Sequence, residues 1–575
     1  MKCRISFVFF FLAALFFPSF SFSLDREAFS ITKYDLDLQI DQDQARLGVR
    51  GKVTLRNDSP SPLKIIVLQV SSSLSWKSIR LKSGSESKPV QFITQPLTTD
   101  IDHTGSLSEA IVTLPQAVAP KETLELEVGY EGAVPVDTTR LTRIGVPDDT
   151  ARNSEWDRID PEFIAIRGAG HVAWYPICTN AANMAEGSDL QDALTRWRNR
   201  EAGTTMHLNI GLNRFSETAH VPEIMFGGVS CSWSVMESMG AVQRMLGECS
   251  QQPSRRDTPT LVIAQYKIIE APEVEIHYLP NQEGVAQQFA AAAKEVEPVI
   301  SQWFGPRRER AKFAALPEAD DDPFESGALL FSPLAGQQGL SLAHQLTHAS
   351  FLSFRPWIEE GLAHFAQALY LEHEKGRQHA LDYLAAHRQA LLKLEEGLAT
   401  QDENSRAMAS TTNDELYRSK AMSVWWMLRD MIGDSELKKA IAEYRPEQDQ
   451  DVTYMPRLIA AHTQRELDWF FEDWVYHDRG LPDFKIESVF PRKTDTGTFI
   501  VTTTVDNLGT AGAEVPVTVK FAGGEVTKRL EVRSKTKGVI RIEIPKPVQE
   551  VAVNDGSVPE TGVSNNVFKV QTTDK

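Results

Sequence analysis

The chain has 575 residues, enough for several domains, because single hydrophobic cores rarely grow beyond about 250 residues. Hydrophobic residues make up 42% of it and charged residues 24%, as in an ordinary soluble globular protein. Its formal net charge of −18 argues against nucleic acid as a partner, since phosphate contacts need clustered Lys and Arg.

The amino terminus has the pattern of a secretory signal peptide. Lys2 and Arg4 precede an apolar run at residues 5–17, which is followed by the small-residue segment SFSFS. Because a membrane-spanning helix needs about 20 apolar residues, this run is too short to cross a bilayer comfortably. We predict a signal peptide over residues 1–23 and export to the periplasm or the extracellular space. The alternative is an uncleaved signal that tethers the protein. No later segment is apolar enough to span.

From residue 24 to about 265 the dominant pattern has a period of two. Apolar and polar residues alternate, which predicts half-buried strands separated by polar turns. We therefore predict an amino-terminal β domain over residues 24–265, arranged as a saddle or a sandwich. The alternating apolar positions are Tyr34, Leu36, Leu38 and Ile40; Leu47, Val49, Val53 and Leu55; Leu124, Leu126, Val128 and Tyr130; and Met206, Leu208, Ile210 and Leu212.

The mature chain would keep three cysteines, Cys178, Cys231 and Cys249, and three thiols cannot all pair within one chain. In an oxidising compartment Cys231 and Cys249 are the first pair to expect, because they close a short loop. Buried free thiols are the alternative.

The period changes to that of a helix after one further strand at residues 274–278. Phe289, Val296 and Trp303 belong to a run at helical spacing that Gly305 should end, and similar spacing continues toward residue 475. We predict a mainly helical domain over residues 266–484.

Period two returns after residue 484. Alternating apolar residues near Val501 and Val517, with a turn at Gly523, predict a carboxy-terminal β-sandwich over residues 485–575. The predicted fold class is therefore multidomain α+β, with the domains in the order β, α, β.

One segment of the central region carries the chemistry, and it reads AHQLTHASFLSFRPWIEEGLAHFAQ. His344 and His348 stand four apart on a predicted helix, so both imidazoles project from one face, close enough to hold one cation. Pro356 predicts the end of that helix at the residue before it and the start of another. The antiparallel return would bring Glu360 over the histidines. Two His and one Glu leave a fourth zinc position open, as catalytic sites do.

Two alternatives stay open on the residues alone. His344 and His348 could be two surface histidines on an amphipathic helix. Glu359 could replace Glu360 as the third ligand.

The segment resembles the gluzincin metallopeptidases, and the whole chain resembles the alanyl-aminopeptidase family within them. That family reads HExxH, a spacer, and then Asn-Glu-Gly-Phe-Ala, whose Glu is the third zinc ligand; EEGLA matches it at Glu360. The spacer of 11 residues is shorter than usual for the family. The resemblance implies a central gluzincin (thermolysin-like) domain between a β saddle and a terminal sandwich, one zinc ion, and a peptide or protein substrate.

Further residues match the family's motifs. LYRSKAMSVWWMLRDMIG resembles the Tyr-x-Lys-Gly segment, which implies that Tyr417 hydrogen-bonds the oxyanion of the intermediate; the alternative is an aromatic core residue. PFESGALLF resembles a degraded Gly-x-Met-Glu-Asn loop, which implies that Glu325 binds the free amine of the substrate. His364 lies four residues after Glu360, on the same predicted helix face. It could form hydrogen bonds beside the metal ligands, or it could be an ordinary packed histidine.

Gln345 stands where the family keeps the Glu that takes a proton from the zinc-activated water. An amide cannot take that proton at neutral pH, and acid–base assistance is worth about 10² to 10⁴ in rate. Three hypotheses follow: a slow peptidase, or one using Glu359 or Glu325 as the base; a zinc-bearing pseudopeptidase that binds peptides without cleaving them; or a scaffold for protein contacts. The complete ligand set disfavours the scaffold, and we favour the peptidase over the pseudopeptidase.

Overall fold

The computed structural model of the protein describes most of the chain and shows a mixed α+β fold. The predicted signal peptide lies outside the described residues. No helix in the described part of the chain is both long and apolar enough to cross a membrane. The described residues are 24–184, 189–214, 221–239, 242–252, 258–336, 339–353, 355–398, 407–409 and 416–570.

The strands concentrate before residue 333 and after residue 483. They are β1 (Phe29–Asp41), β2 (Arg46–Asn57), β3 (Leu63–Ser71), β4 (Leu74–Ser83), β5 (Glu86–Pro89), β6 (Gln91–Thr98), β7 (Ser106–Val118), β8 (Thr123–Ala133), β9 (Arg158–Ile159), β10 (Phe163–Ile166), β11 (Thr205–Arg214), β12 (Glu223–Phe226), β13 (Val229–Met239), β14 (Val242–Gln251), β15 (Leu261–Ala264), β16 (Lys267–Glu270), β17 (Val274–Tyr278), β18 (Ala311–Ala315), β19 (Phe324–Ser326), β20 (Leu329–Ser332), β21 (Phe484–Lys493), β22 (Phe499–Asn507), β23 (Ala513–Phe521), β24 (Gly524–Val532), β25 (Lys537–Ile544), β26 (Val548–Val553) and β27 (Val567–Lys569).

The helices concentrate between residues 283 and 476. They are α1 (Thr139–Thr142), α2 (Asp148–Ser154), α3 (Asp189–Arg200), α4 (Glu283–Phe304), α5 (Gly339–His348), α6 (Pro356–Lys375), α7 (Arg377–Ala386), α8 (Arg388–Leu398), α9 (Met422–Ile432), α10 (Asp434–Glu443), α11 (Tyr454–Ala461) and α12 (Asp468–Phe471), with π-helical segments at Leu416–Ala421 and Glu472–Tyr476 and a 3₁₀ turn at Pro446–Gln448.

The amino-terminal strands form one twelve-stranded sheet and one three-stranded sheet. The order in the large sheet is β5-β4-β8-β2-β1-β11-β14-β13-β12-β15-β10-β9, and in the small one β3-β7-β6. The alternation predicted for β1 is confirmed, because Tyr34, Leu36, Leu38 and Ile40 are all buried. Inward residues of β1 and β2 share one hydrophobic core with those of β3 and β7, so the two sheets pack face to face.

The cysteines of this region fall into one pair and one thiol. Cys231 and Cys249 form a disulfide between β13 and β14, which is the pairing expected for an oxidising compartment. Cys178 is a buried free thiol.

A five-stranded sheet with the order β16-β17-β18-β20-β19 precedes the helices of the central region. Strand β17 was predicted, but the segment PFESGALLF, which the resemblance had suggested to be a loop, forms the hairpin β19–β20 at one edge of this sheet. Gly327 lies in the two-residue turn at φ 60°, which suits a tight hairpin connection. The hairpin places Glu325 on an edge strand.

The carboxy-terminal strands form a three-stranded sheet, β21-β22-β25, and a four-stranded sheet, β24-β23-β26-β27. Buried Val501 and Val517, one from each sheet, belong to the same hydrophobic cluster as Trp425 and Trp474 from the helical region. The helices and the terminal strands therefore share a continuous core.

Candidate metal centre

The first element of the site is α5, whose two faces differ. Leu342 and Leu346 are buried in the core beneath the five-stranded sheet. His344 and His348 project from the other face, one helical turn apart, with their Nε2 atoms 3.1 Å from each other. The structure thus places the two imidazoles as the i, i+4 spacing predicted.

The chain turns back after α5 and begins α6 at Pro356, as predicted. Helix α5 itself ends at His348 rather than at Arg355. The Ser350 hydroxyl donates to the carbonyl of Leu346, which occupies a backbone acceptor of the last turn and helps to end the helix early.

Helix α6 is held close to the π-helical segment Leu416–Ala421. A side chain at Gly361 would lie only 2.8 Å from the indole nitrogen of Trp425 and 2.9 Å from Cβ of Ala421, so glycine is required for this approach. The same indole nitrogen donates to the carbonyl of Trp357 in the first turn of α6, at 3.1 Å. These contacts fix the turn that carries Glu360.

Glu360 completes a group of three ligating atoms. Its Oε2 lies 3.5 Å from Nε2 of His344 and 3.6 Å from Nε2 of His348. Tetrahedral zinc with bonds of about 2.0–2.1 Å would hold such atoms about 3.3 Å apart. The three residues therefore fit one zinc ion with little movement, and they leave its fourth position free of protein ligands from this group.

The electrostatics of the group agree with that fit. Burial, together with the neighbouring His348, lowers the pKa of His344 well below its ordinary value. Burial alone would raise the pKa of Glu360, but the imidazoles of His348 and His344 lower it overall. At neutral pH His344 is therefore neutral and Glu360 is ionised, which are the forms in which these two groups can bind a metal.

Gln345 is buried beside the ligands with its amide orientation fixed. The Ser332 hydroxyl donates to the carbonyl of Pro333, so its oxygen is left to accept, and Nε2 of Gln345 donates to it at 3.1 Å. Oε1 of Gln345 is then the free end of the amide, with no hydrogen-bond partner among the described residues. Gln345 can accept a hydrogen bond but has no carboxylate with which to take a proton.

The other two acidic residues considered for the site differ in position. Glu359 is buried and accepts a hydrogen bond from the backbone N–H of Ser353 at 3.4 Å, and it is not one of the three clustered ligands. Glu325 lies on the edge strand β19, half-exposed, with Oε2 3.6 Å from Nδ1 of His348. Glu325 therefore lies beside the second ring nitrogen of His348.

Tyr417 lies on the π-helical segment Leu416–Ala421 and is buried in the helical core. Single π-turns inside helices occur frequently at functional sites. Buried Lys420 anchors the segment through ion pairs with Glu395 and Asp478.

His364 lies beside the clustered ligands on the next turn of α6. Its ring centroid is 4.6 Å from that of His344, and its Nδ1 is 2.8 Å from Oε1 of Gln367. Burial lowers the pKa of His364 to about 4, so the ring is neutral at physiological pH. Sequence reasoning placed His364 on this face but gave no sign of Gln367 as its partner.

A second group of ligand-type side chains, which sequence reasoning missed, lies behind β19. Glu155, Asp157 and His171 also bring three ligating atoms within 4.8 Å of one another. Here, however, two guanidinium groups are already in place: Nε of Arg140 is 2.6 Å from Glu155, and Nη2 of Arg167 is 2.6 Å from Asp157.

The chain is similar to known proteins in its structure rather than in its sequence. No protein-family model matches the sequence, and no curated protein matches it. The chain is similar to a solved structure of an M1 zinc metallopeptidase from Deinococcus radiodurans, with 16% identity and a TM-score of 0.47 over 79% of this chain and 95% of that one. A mutant of that metallopeptidase bound to a Tyr-Ser-Ala substrate gives 17% identity and a TM-score of 0.48 over 80% and 97%. Similarity at this level assigns neither an activity nor a substrate to this chain.

Proposed function

We propose that the protein is an exported zinc metallopeptidase-like protein that hydrolyses peptides from the amino terminus, slowly because Gln345 replaces the usual base. The observation that carries the proposal is the convergence of His344, His348 and Glu360 at 3.1–3.6 Å. A zinc ion held by these residues would supply a Lewis acid that polarises a peptide carbonyl and activates water.

The roles of the chain's own residues follow from their positions. We assign Gln345 to orienting the attacking water, but its amide cannot take a proton from that water. We assign Tyr417 to the oxyanion and Glu325, exposed on the edge strand, to the free amine of the substrate. Loss of one acid–base group costs about 3–5 kcal/mol of barrier, so binding would be retained while turnover fell.

The competing proposal is a pseudopeptidase that binds zinc and peptides without cleaving them. It rests on the same three ligands and on the hydrogen bond from Gln345 to Ser332, which holds the amide in place as a built-in part of the site.

The deciding experiment measures zinc content and peptide cleavage in the natural protein and in Gln345→Glu. Gln287→Glu, which makes the same charge change on the exposed face of α4, is the control. We expect one zinc per chain, slow cleavage by the natural protein, and a gain of about 10² to 10⁴ in Gln345→Glu. If the natural protein bound zinc without cleaving peptides, and Gln345→Glu cleaved them, the pseudopeptidase would be favoured. A chain that binds no zinc would contradict both proposals.

Free and blocked peptides separate the modes of cleavage. If Glu325 binds the substrate amine, peptides with a blocked amino terminus should be poor substrates. Equal cleavage of both would rule out the aminopeptidase role.

A further inference from the structure

We propose that His364 is a further residue of the site, whose Nε2 lone pair accepts a hydrogen bond from the ligand at the fourth metal position. The inference rests on the proposed zinc site and adds to it a residue outside the three-ligand group. It also specifies the chemistry that this residue selects: a ligand carrying an N–H or O–H donor.

The hydrogen bonds around Gln367 fix which nitrogen of His364 carries the proton. Nε2 of Gln367 donates to the carbonyl of Leu340 at 3.0 Å, so its amide oxygen must face the other way. That oxygen accepts from the Tyr383 hydroxyl at 2.9 Å and lies 2.8 Å from Nδ1 of His364. Because a carbonyl oxygen can only accept, Nδ1 of His364 must be the donor.

A neutral imidazole that is protonated on Nδ1 has its lone pair on Nε2. A divalent cation beside His344 would repel an imidazolium, so metal binding favours this neutral form. Among the described residues, the hydrogen bond that His364 makes is the one through Nδ1, which leaves Nε2 available as an acceptor.

The ring of His364 lies beside the three-ligand group. It follows Glu360 by one helical turn and is therefore on the same face of α6, and its ring lies 4.6 Å from that of His344. It is not a member of the cluster whose ligating atoms lie within 4.8 Å of one another. His364 is thus adjacent to the ligand set without belonging to it, and its side chain is only partly buried.

The test uses two ligands for the fourth metal position. One of them carries a hydrogen-bond donor and the other does not. Acetohydroxamate carries an N–H, whereas azide carries none, and the binding of each to the cobalt(II)-substituted protein can be followed by visible absorption. His364→Asn keeps an amide N–H near the place of Nδ1 and removes Nε2. His373→Asn, at the exposed end of the same helix, is the matched control.

We expect His364→Asn to weaken acetohydroxamate about three- to tenfold, the loss of one neutral hydrogen bond, with azide unchanged. His364→Gln, whose amide oxygen can take the place of Nε2, should restore part of the affinity. His373→Asn should change neither probe. Circular dichroism and the cobalt content of each variant verify folding and metal loading.

Two results would overturn the inference: unchanged acetohydroxamate affinity in His364→Asn, or an equal weakening of both probes. If His364→Asn does not fold, Gln367→Leu gives the same test, since it removes the acceptor that holds the proton on Nδ1 and should weaken acetohydroxamate alone. A natural protein that binds no cobalt or zinc would instead contradict the proposed function as well.

Discussion

Among the residues that the structure describes, two groups of side chains have the spacing of metal ligands, and they differ in charge balance. Among the described residues, Glu360 has no Lys or Arg partner, and its carboxylate lies 3.5 and 3.6 Å from the two histidines of its own group. The group of Glu155, Asp157 and His171 is instead neutralised by two buried arginines. The comparison teaches that close ligand atoms do not by themselves define a metal site. A metal site also needs a position between its ligand atoms that no positively charged side chain already occupies.

The two groups lie on either side of one short strand. Glu325 of β19 approaches His348 at 3.6 Å, while the neighbouring Phe324 packs its ring 5.3 Å from that of His171. Because successive side chains of a strand point to opposite faces, β19 separates the metal centre from the charge cluster. We infer that the cluster fixes the edge strand that borders the site, without binding metal.

The largest effect should come from breaking the charge cluster. Asp157→Asn would remove the nearest carboxylate of the buried Arg167 guanidinium and leave only Glu155, at 3.7 Å, which is expected to cost at most about 3–5 kcal/mol of unfolding free energy. Denaturant unfolding would measure the loss, with Asp43→Asn in an exposed turn as the control. Zinc content should stay at one per chain. A loss below about 1 kcal/mol would mean that the cluster is not a structural ion-pair network.

A second prediction uses zinc itself. Because a ligand that binds only the folded state stabilises it, zinc at a hundredfold excess over its dissociation constant should add about 2.7 kcal/mol to the unfolding free energy. His348→Asn should abolish this increment, and Asp157→Asn should retain it on its lower baseline. If zinc still stabilised His348→Asn but no longer stabilised Asp157→Asn, the metal would lie at the charge cluster.

The smallest effect concerns pH. Burial, with repulsion from Arg167 and Arg140, lowers the pKa of His171 well below its ordinary 6.5. Below about pH 6.5 the unfolded chain therefore binds a proton that the folded chain does not, and stability falls as the pH falls. The slope cannot exceed about 1.4 kcal/mol per pH unit. Because 24% of the side chain is exposed, the slope should be smaller.

His171→Gln should remove this part of the pH dependence, and thermal unfolding between pH 5 and pH 7 would show it. The same slope in His171→Gln as in the natural protein would assign the proton uptake to another group. His207→Gln, on β11 of the twelve-stranded sheet, is the matched control.

Local patterns in the sequence predicted the elements that depend on near neighbours. The alternation at Tyr34–Ile40 predicted β1 because one face of that strand is buried. The spacing of His344 and His348, and the proline before Trp357, predicted the two helices of the site. The short turn between those helices indicated that a glutamate returns over the histidines, and the family resemblance selected Glu360 rather than Glu359.

Features that depend on distant neighbours could not be predicted in the same way. Gln345 finds Ser332 only because β20 passes beneath α5, and the hairpin β19–β20 is stabilised by strand pairing as well as by its own turn. His171 of the charge cluster contacts Phe324 across more than 150 residues of chain, and no local pattern marks such a contact. The early end of α5 is accompanied by a hydrogen bond from the Ser350 hydroxyl to the carbonyl of Leu346, which the sequence pattern did not indicate.

The central claim is that His344, His348 and Glu360 hold one zinc ion with an open fourth position. Anomalous diffraction at the zinc edge, from crystals grown with zinc, tests it most directly. We predict one peak, located among Nε2 of the two histidines and Oε2 of Glu360, with a non-protein ligand completing the coordination. No peak at that position, or a peak at Glu155, Asp157 and His171, would contradict the account.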